Sequence, residues 1–463
     1  MRVLLVQPPS HSALGLQAFS LPEPLGLETI AACLTNEHEV SIFDMRIEHN
    51  IWKKLSLFKP DVVGVSASFT ADVYSAYKVL DRIKEYSPRV RTFVGGHHAT
   101  MCHIDFSGRA DVVVLGEGEI TTAELLRFWE RGEPINEVEG IAYQGSNGWI
   151  QTKPRPLIQN LDDIPLPARY LIKDCGDRYF IGKRRPCAIV ETSRGCPHRC
   201  KFCSVWRFYK GSNRSHTPEM IVRELQHIKA PHIMFVDDNF FADDTRAENI
   251  LFAINKAAIK KRYIMQIRVD SILNQKEMIG EWAASGLDAV LVGVESINQQ
   301  KLNGLGKRLE ADKIEDALKV LHETGILAMA SFIVDPDFKV EDFIRLRQYV
   351  KRARLVQPYF SVLTPLPGTV LHEERAKDIS SNNYELFDLH HAVLPTKLGL
   401  KKFYREYTKL WVYTYFLSPP GVSGQMRNGV KNFSRLVWIA FKLLIRYNPG
   451  ALLRHHRQQH FHK

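Results

Sequence analysis

The chain has 463 residues, of which 45% are hydrophobic and 24% are charged. Its net charge of +11 is concentrated at one end, since residues 398–463 contain twelve Lys or Arg and one acid, Glu406, whereas residues 1–397 contain fifty of each sign. These values exclude a disordered chain and a small disulfide-rich domain, and they predict two or three folded domains followed by a basic tail.

The first 135 residues alternate short runs of Val, Leu and Ile with amphipathic helical patterns. Continuous apolar strands are typical of a parallel sheet that is buried on both faces, so we expect a doubly wound α/β domain. The opening residues, MRVLLVQPP, predict the first strand and contain no cleavage site, which favours a cytoplasmic protein without a signal peptide. The predicted strands are 3–7, 39–43, 61–66, 91–94 and 111–115, and the predicted helices are 25–34, 71–86 and 121–129.

Residues 136–185 are a predicted connector, with a hairpin at 145–148 and a proline-rich stretch after it. Residues 186–397 contain about six further strand–helix repeats, which predict a partial (β/α)6 barrel with its site at the carboxyl ends of the strands. Residues 398–463 are predicted to be mainly helical. The predicted barrel strands are 188–191, 232–236, 264–269, 289–294 and 328–334, and predicted helices include 218–227 and 313–324.

Three of the seven cysteines, Cys196, Cys200 and Cys203, lie in one loop after the strand predicted at 188–191. Cysteine thiolates are the standard ligands of iron–sulfur clusters, and three ligands leave one iron of a [4Fe–4S] cluster open. A structural zinc site needs a fourth ligand, and His198 inside the loop keeps that alternative open. The other four cysteines, which we expect to be packed or incidental thiols, are Cys33, Cys102, Cys175 and Cys187.

The CxxxCxxC loop, together with later segments in the same order, resembles the radical S-adenosylmethionine (SAM) superfamily. The resemblance implies that SAM binds the open iron and that its cleavage supplies a radical. It also implies SAM contacts at the ends of the barrel strands, although residues 332–336 lack the glycine-rich strand end of many relatives. The SAM-binding residues predicted in this way are Phe202, Asp237, Asp238, Arg268, Glu295 and Ser296.

An α/β domain directly before such a barrel resembles the cobalamin-binding (class B) radical SAM methyltransferases, over roughly residues 1–390. Small residues suit the loops of that domain, because a flat macrocycle needs close approach of the backbone. The DxHxxG motif with an axial histidine is absent after the first strand, and Asp388-Leu389-His390 comes nearest but lies beyond the barrel. We therefore expect cobalt without a protein histidine below it, with His97 and His98 as packing residues. The predicted cobalamin-binding residues are Gln7, Pro8, Ser66, Ser68, Gly95, Gly96, Gly116, Glu117 and Gly118.

The basic tail interleaves cations with aromatic residues in two helical stretches, 403–416 and 433–447. The second stretch is too short and too charged to span a bilayer. Two interpretations remain open, an interfacial helix on anionic lipid and a helix packed on the barrel with a solvated basic face. No base-reading motif accompanies the charge, so we expect no nucleic-acid partner. The aromatic residues of the anchor interpretation are Phe403, Trp411, Phe433, Trp438 and Phe441.

The resemblance implies an enzyme that methylates an unactivated carbon and uses two molecules of SAM for each methyl group transferred. Length and tail are most similar to the hopanoid C-3 methylases within the family, which implies an apolar lipid substrate, a hopanoid. Tetrapyrrole methylases and the oxidative cyclases of chlorophyll-type pigments are the alternative, and a non-catalytic redox or cobalamin sensor is a third interpretation. An electron donor such as flavodoxin or ferredoxin and a location at the inner face of the membrane complete the expectation.

Overall fold

The computed structural model describes residues 1–10, 20–417 and 449–457. The described chain forms two compact bodies. The first body contains residues 1–195 and 207–232, and the second body contains residues 196–206 together with the described residues from 233 onwards. Within the described residues, no helix combines the length and the apolar character needed to cross a membrane.

The elements up to residue 195 alternate strands and helices as the sequence predicts. They are β1 (Arg2–Gln7), β2 (Ser20–Leu21), α1 (Leu25–Leu34), β3 (Glu39–Asp44), α2 (Ile51–Phe58), β4 (Val62–Ser66), α3 (Val73–Tyr86), β5 (Arg91–Gly95), α4 (His97–Met101), β6 (Val112–Val114), α5 (Gly118–Arg131), β7 (Ile141–Gly145), β8 (Gly148–Gln151), β9 (Phe180–Ile181), β10 (Cys187–Val190) and β11 (Ser193–Arg194).

A seven-stranded sheet in the order β3-β1-β4-β5-β6-β7-β8 forms the centre of the first body. The pairs β1–β3, β1–β4, β4–β5 and β5–β6 are parallel, whereas the hairpin β7–β8 joins β6 in antiparallel fashion. Residues 3–6 of β1 are fully buried because helices cover both faces of a doubly wound sheet. Strand β3 pairs with one side of β1, and the chain then crosses to place β4 on the other side. The carboxyl ends of β1 and β4 therefore flank the switch point where such sheets admit ligands.

The elements after residue 195 continue the alternation. They are α6 (Val205–Phe208), β12 (Arg214–Ser215), α7 (Pro218–His227), β13 (His232–Phe235), α8 (Asp244–Lys256), β14 (Arg262–Ile267), α9 (Val269–Asn274), α10 (Lys276–Ala284), β15 (Leu287–Glu295), α11 (Gln299–Gly304), α12 (Lys313–Glu323), β16 (Leu327–Val334), α13 (Val340–Arg352), β17 (Tyr359–Val362), α14 (Val370–Arg375), α15 (Leu400–Val412) and α16 (Pro449–Arg457).

Strands β13 to β17 lie side by side in chain order in one sheet. The pairs β14–β15, β15–β16 and β16–β17 are parallel, and the register of β15 shifts by one residue between Gly293 and Glu295. Counted along the chain, β10–α7 and the five units that begin at β13 make six strand–helix units. The predicted fold class, a doubly wound sheet followed by a partial barrel of parallel strands and a helical end, is confirmed.

The first helix of the tail, α15, is packed in the second body. Its buried face includes Phe403, Tyr407 and Trp411, and the acid Glu406 is also buried and accepts a hydrogen bond from Lys409 Nζ at 2.7 Å. Phe403 and Trp411 therefore contribute to the core and are not exposed anchor residues, because the apolar face of an amphipathic helix packs where a core is available. The predicted stretch 433–447, with Phe433, Trp438 and Phe441, lies outside the described residues.

Candidate functional site

The strand that leads into the cysteine loop is held by side chains at its backbone. The amide of Ile189 in β10 donates to Glu23 Oε1 at 2.7 Å, and its carbonyl accepts from Arg169 Nη2 at 2.9 Å. Arg169 also pairs with Glu224 at 2.5 Å and with Glu28 at 3.3 Å. Burial raises the pKa of the Glu28 carboxyl, and the neighbouring carboxylates Glu23 and Glu224 raise it further.

Backbone hydrogen bonds join the centre of the cysteine loop to other segments of the second body. The amide of Lys201 donates to the Leu305 carbonyl at 2.9 Å, and the Lys201 carbonyl accepts from the Leu371 amide at 2.9 Å. Trp206 Nε1 donates to the Cys200 carbonyl at 3.2 Å. The backbone between the cysteines has no regular secondary structure, and these hydrogen bonds hold it in place. The positions of the three thiols are therefore defined by these contacts.

All three thiols line one cavity of about 400 Å³ in the second body. Burial raises the pKa of Cys196 and raises the pKa of Cys203 to about 12. Among the described residues, three metal-binding side-chain atoms lie within 4.8 Å of one another only at His98, Cys102 and Asp105. The three loop thiols do not form such a group.

Four of the predicted SAM-binding residues lie in this cavity with the cysteines: Phe202, Asp238, Arg268 and Glu295. The two remaining predicted residues do not line it. Asp237 is buried and accepts a hydrogen bond from Arg246 at 2.8 Å, and the Ser296 hydroxyl accepts from the Asn298 amide at 3.1 Å.

The end of β15 carries a buried ion pair that faces the cavity. Lys307 Nζ lies 2.8 Å from Glu295 Oε1, and both side chains are less than a tenth exposed. Glu295 has a left-handed backbone with φ of 62°, in the register shift of β15, and this strained conformation turns its side chain at the strand end. Lys307 was not predicted, since it lies in a loop after α11 without a periodic pattern to mark it.

Arg268 has partners of its own at the carboxyl end of β14. Its Nε lies 2.9 Å from Asp270 Oδ1, and its Nη2 donates to the Lys307 carbonyl at 3.1 Å. The guanidinium lowers the pKa of Asp270 and so keeps that carboxylate charged. Asp270 itself does not line the cavity, whose wall presents the cations Arg268 and Lys307 and the carboxylates Asp238 and Glu295. Such a pattern can hold a ligand with both an amine and a carboxylate.

Tyr359 on β17 also lines the cavity and begins a series of buried hydrogen bonds. Its hydroxyl lies 2.9 Å from His390 Nε2, and His390 Nδ1 lies 3.0 Å from the Tyr407 hydroxyl. The Tyr407 hydroxyl donates to the Phe360 carbonyl at 2.8 Å, which can only accept. His390 must therefore donate through Nδ1 and accept from Tyr359 at Nε2.

These hydrogen bonds involve the histidine of Asp388-Leu389-His390, the one DxH sequence that resembles an axial-histidine motif. Both ring nitrogens of His390 already have hydroxyl partners. Burial lowers the pKa of His390 to about 4, so the ring stays neutral. Sequence reasoning missed Tyr359, although the alternation of polar and apolar residues in β17 (Tyr359–Val362) is the signal that could have found it.

The predicted cobalamin-binding loops all follow parallel strands of the first body at the same edge of the sheet. Gln7 ends β1 and precedes the buried Pro8, and Ser66 ends β4, with its hydroxyl 3.3 Å from that of Ser68. The loops after β1 and β4 flank the switch point. A flat ligand could therefore approach the backbone at this edge, where the side chains are small.

The glycines of the next two loops allow close packing. Gly96 has φ of 113°, and a Cβ there would lie 2.7 Å from the Ser68 hydroxyl. Gly95 ends β5, the Gly116 amide donates to Thr100 Oγ1 at 3.0 Å, and Gly118 begins α5. Glu117, between them, is less than a tenth exposed and pairs with Arg194 and Arg214.

His97 and His98 follow β5 and take part in packing. The His97 ring stacks on Phe208 with centroids 4.8 Å apart, and burial lowers its pKa to about 4. His98 Nδ1 lies 3.1 Å from Thr70 Oγ1. No disulfide bond joins any of the seven cysteines, all of which lie in the described part of the chain.

Comparisons with known proteins agree with this arrangement. The sequence matches the B12 binding domain over residues 12–126 and the radical SAM superfamily over residues 190–350. It is 34% identical to a hopanoid C-3 methylase of Methylococcus capsulatus, over 99% of this chain and 90% of that protein. It is 28% identical to an anaerobic magnesium-protoporphyrin IX monomethyl ester cyclase of Rubrivivax gelatinosus, over 84% of this chain and 72% of that protein.

The fold is also that of a solved structure. The cobalamin-dependent S-adenosylmethionine radical enzyme OxsB, with aqua-cobalamin and SAM bound, aligns with a TM-score of 0.74 at 19% identity, over 100% of this chain and 76% of that chain. The expected cofactors are confirmed as a [4Fe–4S] cluster, SAM and cobalamin.

Proposed function

The chain belongs to the cobalamin-binding radical SAM methyltransferases, and from this membership we propose that it methylates a hopanoid at C-3. The observation that carries the proposal is the similarity to a hopanoid C-3 methylase, which extends over 99% of the chain and therefore includes the tail as well as both cofactor domains. The similarity to a methylase over 99% of the chain, together with the radical SAM match, supports an enzyme over the sensor interpretation.

The cofactors, when bound, supply the radical and the methyl group, and the protein supplies position and exclusion of water. Cys196, Cys200 and Cys203 offer three thiolates for the cluster. Arg268 and the pair Glu295–Lys307 offer charges that can orient the carboxylate and amine of SAM. Neither Asp237 nor Ser296 lines the cavity, so each acts on SAM only through neighbouring residues.

The composition of the cavity wall supports an apolar substrate. Aliphatic side chains on β14, β15 and β16 and in the chain after β17 line the space next to the cysteines. Such a wall contributes about 25 cal/mol for each Å² of apolar surface that it removes from water, which favours a hydrocarbon skeleton over a charged metabolite. The aliphatic residues concerned are Ile267, Leu291, Ile333, Leu363, Leu366 and Leu389.

The same proposal places residues 398–463 against the inner face of the membrane and requires a low-potential donor such as flavodoxin or ferredoxin for the cluster. The twelve cations of this region support contact with anionic lipid, at about 1 kcal/mol for each cation near the surface.

The test is methylation in vitro. The anaerobically reconstituted full chain receives SAM labelled in its methyl group, a reductant and either a hopanoid or magnesium-protoporphyrin monomethyl ester. We expect a labelled methyl group on ring A of the hopanoid and two SAM consumed for each methyl transferred, with no product from Cys200→Ala. Cyclisation of the ester transfers no methyl group, so tetrapyrrole products are followed by mass spectrometry as well as by label. A methylated or cyclised tetrapyrrole without a labelled hopanoid would refute the hopanoid proposal.

A tetrapyrrole substrate is the second candidate. The 28% identity to the cyclase of Rubrivivax gelatinosus favours it, because that protein also aligns over most of this chain. The assay above distinguishes the two candidates within one experiment.

A further inference from the structure

The cysteine loop is closed at its base by a two-residue strand pair, β11 with β12, which we call the neck. Ser193 pairs with Ser215, and Arg194 pairs with Arg214, in antiparallel register. The segment between the two strands, residues 195–213, contains all three cluster cysteines. The geometry of the neck therefore sets where both ends of the ligand loop begin.

The neck places two like charges opposite each other. Arg194 and Arg214 are direct cross-strand partners, and both side chains are less than a tenth exposed. Like charges in this relation are destabilising, and a buried charge without a counter-charge destabilises the fold further. An anion between the two guanidinium groups is therefore required if the neck is to stay closed.

Glu117 supplies that anion. Its Oε1 lies 3.0 Å from Arg194 Nη1 and 2.9 Å from Arg214 Nη2, and its Oε2 accepts from Arg214 Nη1 at 3.0 Å and from the Ile158 amide at 2.8 Å. A carboxylate has about four lone-pair sites, so these four hydrogen bonds saturate it. Arg194 is also held by Glu119 and Glu191, each at 2.6 Å.

The chain next to the neck has little room to adjust. Gly195 has φ of 94°, and a Cβ on it would lie 2.1 Å from the Ser212 carbonyl oxygen. The two arms of the loop therefore touch directly after the neck, and Cys196 is the next residue. A change that separates the arms must move the first cysteine with respect to the end of the loop.

We infer that Glu117, assisted by Glu119, is a positioning residue for the cysteine loop, which it holds through Arg194 and Arg214. The sequence pattern placed Glu117 among the cobalamin contacts, but its carboxylate is already fully used at the neck. This inference goes beyond the proposed function and does not depend on which substrate is methylated.

The test uses the full chain, reconstituted anaerobically, with cluster and cobalamin measured separately. Glu117→Gln should lower the iron bound per chain by at least half. Per bound cluster, it should raise the KM for SAM in uncoupled cleavage while kcat changes less, and it should alter the change in the EPR spectrum on addition of SAM. The dissociation constant for cobalamin should stay within twofold of the wild-type value, which also shows that the first body is folded.

The matched control is Glu37→Gln, which removes the carboxylate of an exposed bidentate pair with Arg127 in the same body and should change none of these values.

Arg194→Lys provides a second variant that keeps the charge and loses the guanidinium fork. It should also lower iron content and retain cobalamin, and it decides the matter if Glu117→Gln does not fold. The inference is overturned if Glu117→Gln keeps its iron and its EPR response to SAM while cobalamin binding weakens tenfold or more. It is equally overturned if Arg194→Lys retains full iron content.

Discussion

Gly293 in β15 tests whether the buried ion pair belongs to the SAM site. In Gly293→Ala, the new Cβ would lie 2.5 Å from Glu295 Oε1 and 2.7 Å from Lys307 Nζ. Both atoms are at the ends of flexible side chains, so the fold survives. The two charged groups must nevertheless move away from the new Cβ, because both distances are shorter than an ordinary van der Waals contact.

The structure limits the size of the effect. Deleting one partner of a buried ion pair costs about 3–5 kcal/mol, whereas adding a methylene to a packed site costs about 1–3 kcal/mol. Gly293→Ala retains both charges, so we expect the free energy of unfolding to fall by about 1–3 kcal/mol. If the pair orients SAM, the affinity for SAM should fall about tenfold, equivalent to about 1.4 kcal/mol.

Urea denaturation measures the first quantity, and equilibrium dialysis with labelled SAM measures the second. Gly280→Ala is the matched control, because it makes the same chemical change within α10, where a Cβ meets no atom within 4 Å. Ala within a helix stabilises by about 0.5–1 kcal/mol relative to Gly, so this control should unfold slightly later and bind SAM normally. Wild-type stability and SAM affinity in Gly293→Ala would refute both the packing argument and the assignment of the pair to the SAM site.

Three further predictions concern the cluster, one buried histidine and the tail. Alanine at Cys196, Cys200 or Cys203 should abolish binding of about four irons and SAM cleavage, measured by iron analysis and 5′-deoxyadenosine release; Cys187→Ala should retain both, and one tight zinc in the wild type would contradict this. The pKa of His390 is lowered to about 4 from 6.5, so the unfolded state binds more protons between these values. Its contribution to stability is present above pH 6.5 and is lost at about 1.4 kcal/mol per pH unit as the pH falls towards 4; the stability difference between wild type and His390→Gln should shrink over that window, and a constant difference would exclude the effect. Charge reversal at Arg435, Lys442 and Arg446, which lie outside the described residues, should release the protein from anionic vesicles in sedimentation assays and leave uncoupled SAM cleavage intact; vesicle binding that survives the reversal would show that these cations do not carry the contact.

Local sequence signals predicted the elements that position the site. The helix predicted at 218–227 has the observed bounds, because Thr217 caps it, with its hydroxyl accepting from the Met220 amide at 3.3 Å, and Pro218 suits the first turn. The strands are also close to their predicted bounds, since a buried parallel strand is a continuous apolar run. The spacing of the cysteines and the family resemblance were enough to predict the cofactors.

The contacts that complete the sites depend on residues far apart in the chain, and no local pattern encodes them. Glu117 meets Arg194 across 77 residues and Arg214 across 97, and Tyr359 meets His390 across 31. Sequence by itself determined the strand and helix order, the glycine-rich loops and the candidate cluster ligands, because periodicity, caps and short motifs act over a few neighbouring residues. Only the tertiary structure decided which charges pair in the interior, because burial makes each charge need a partner and the fold alone determines which partner is within reach.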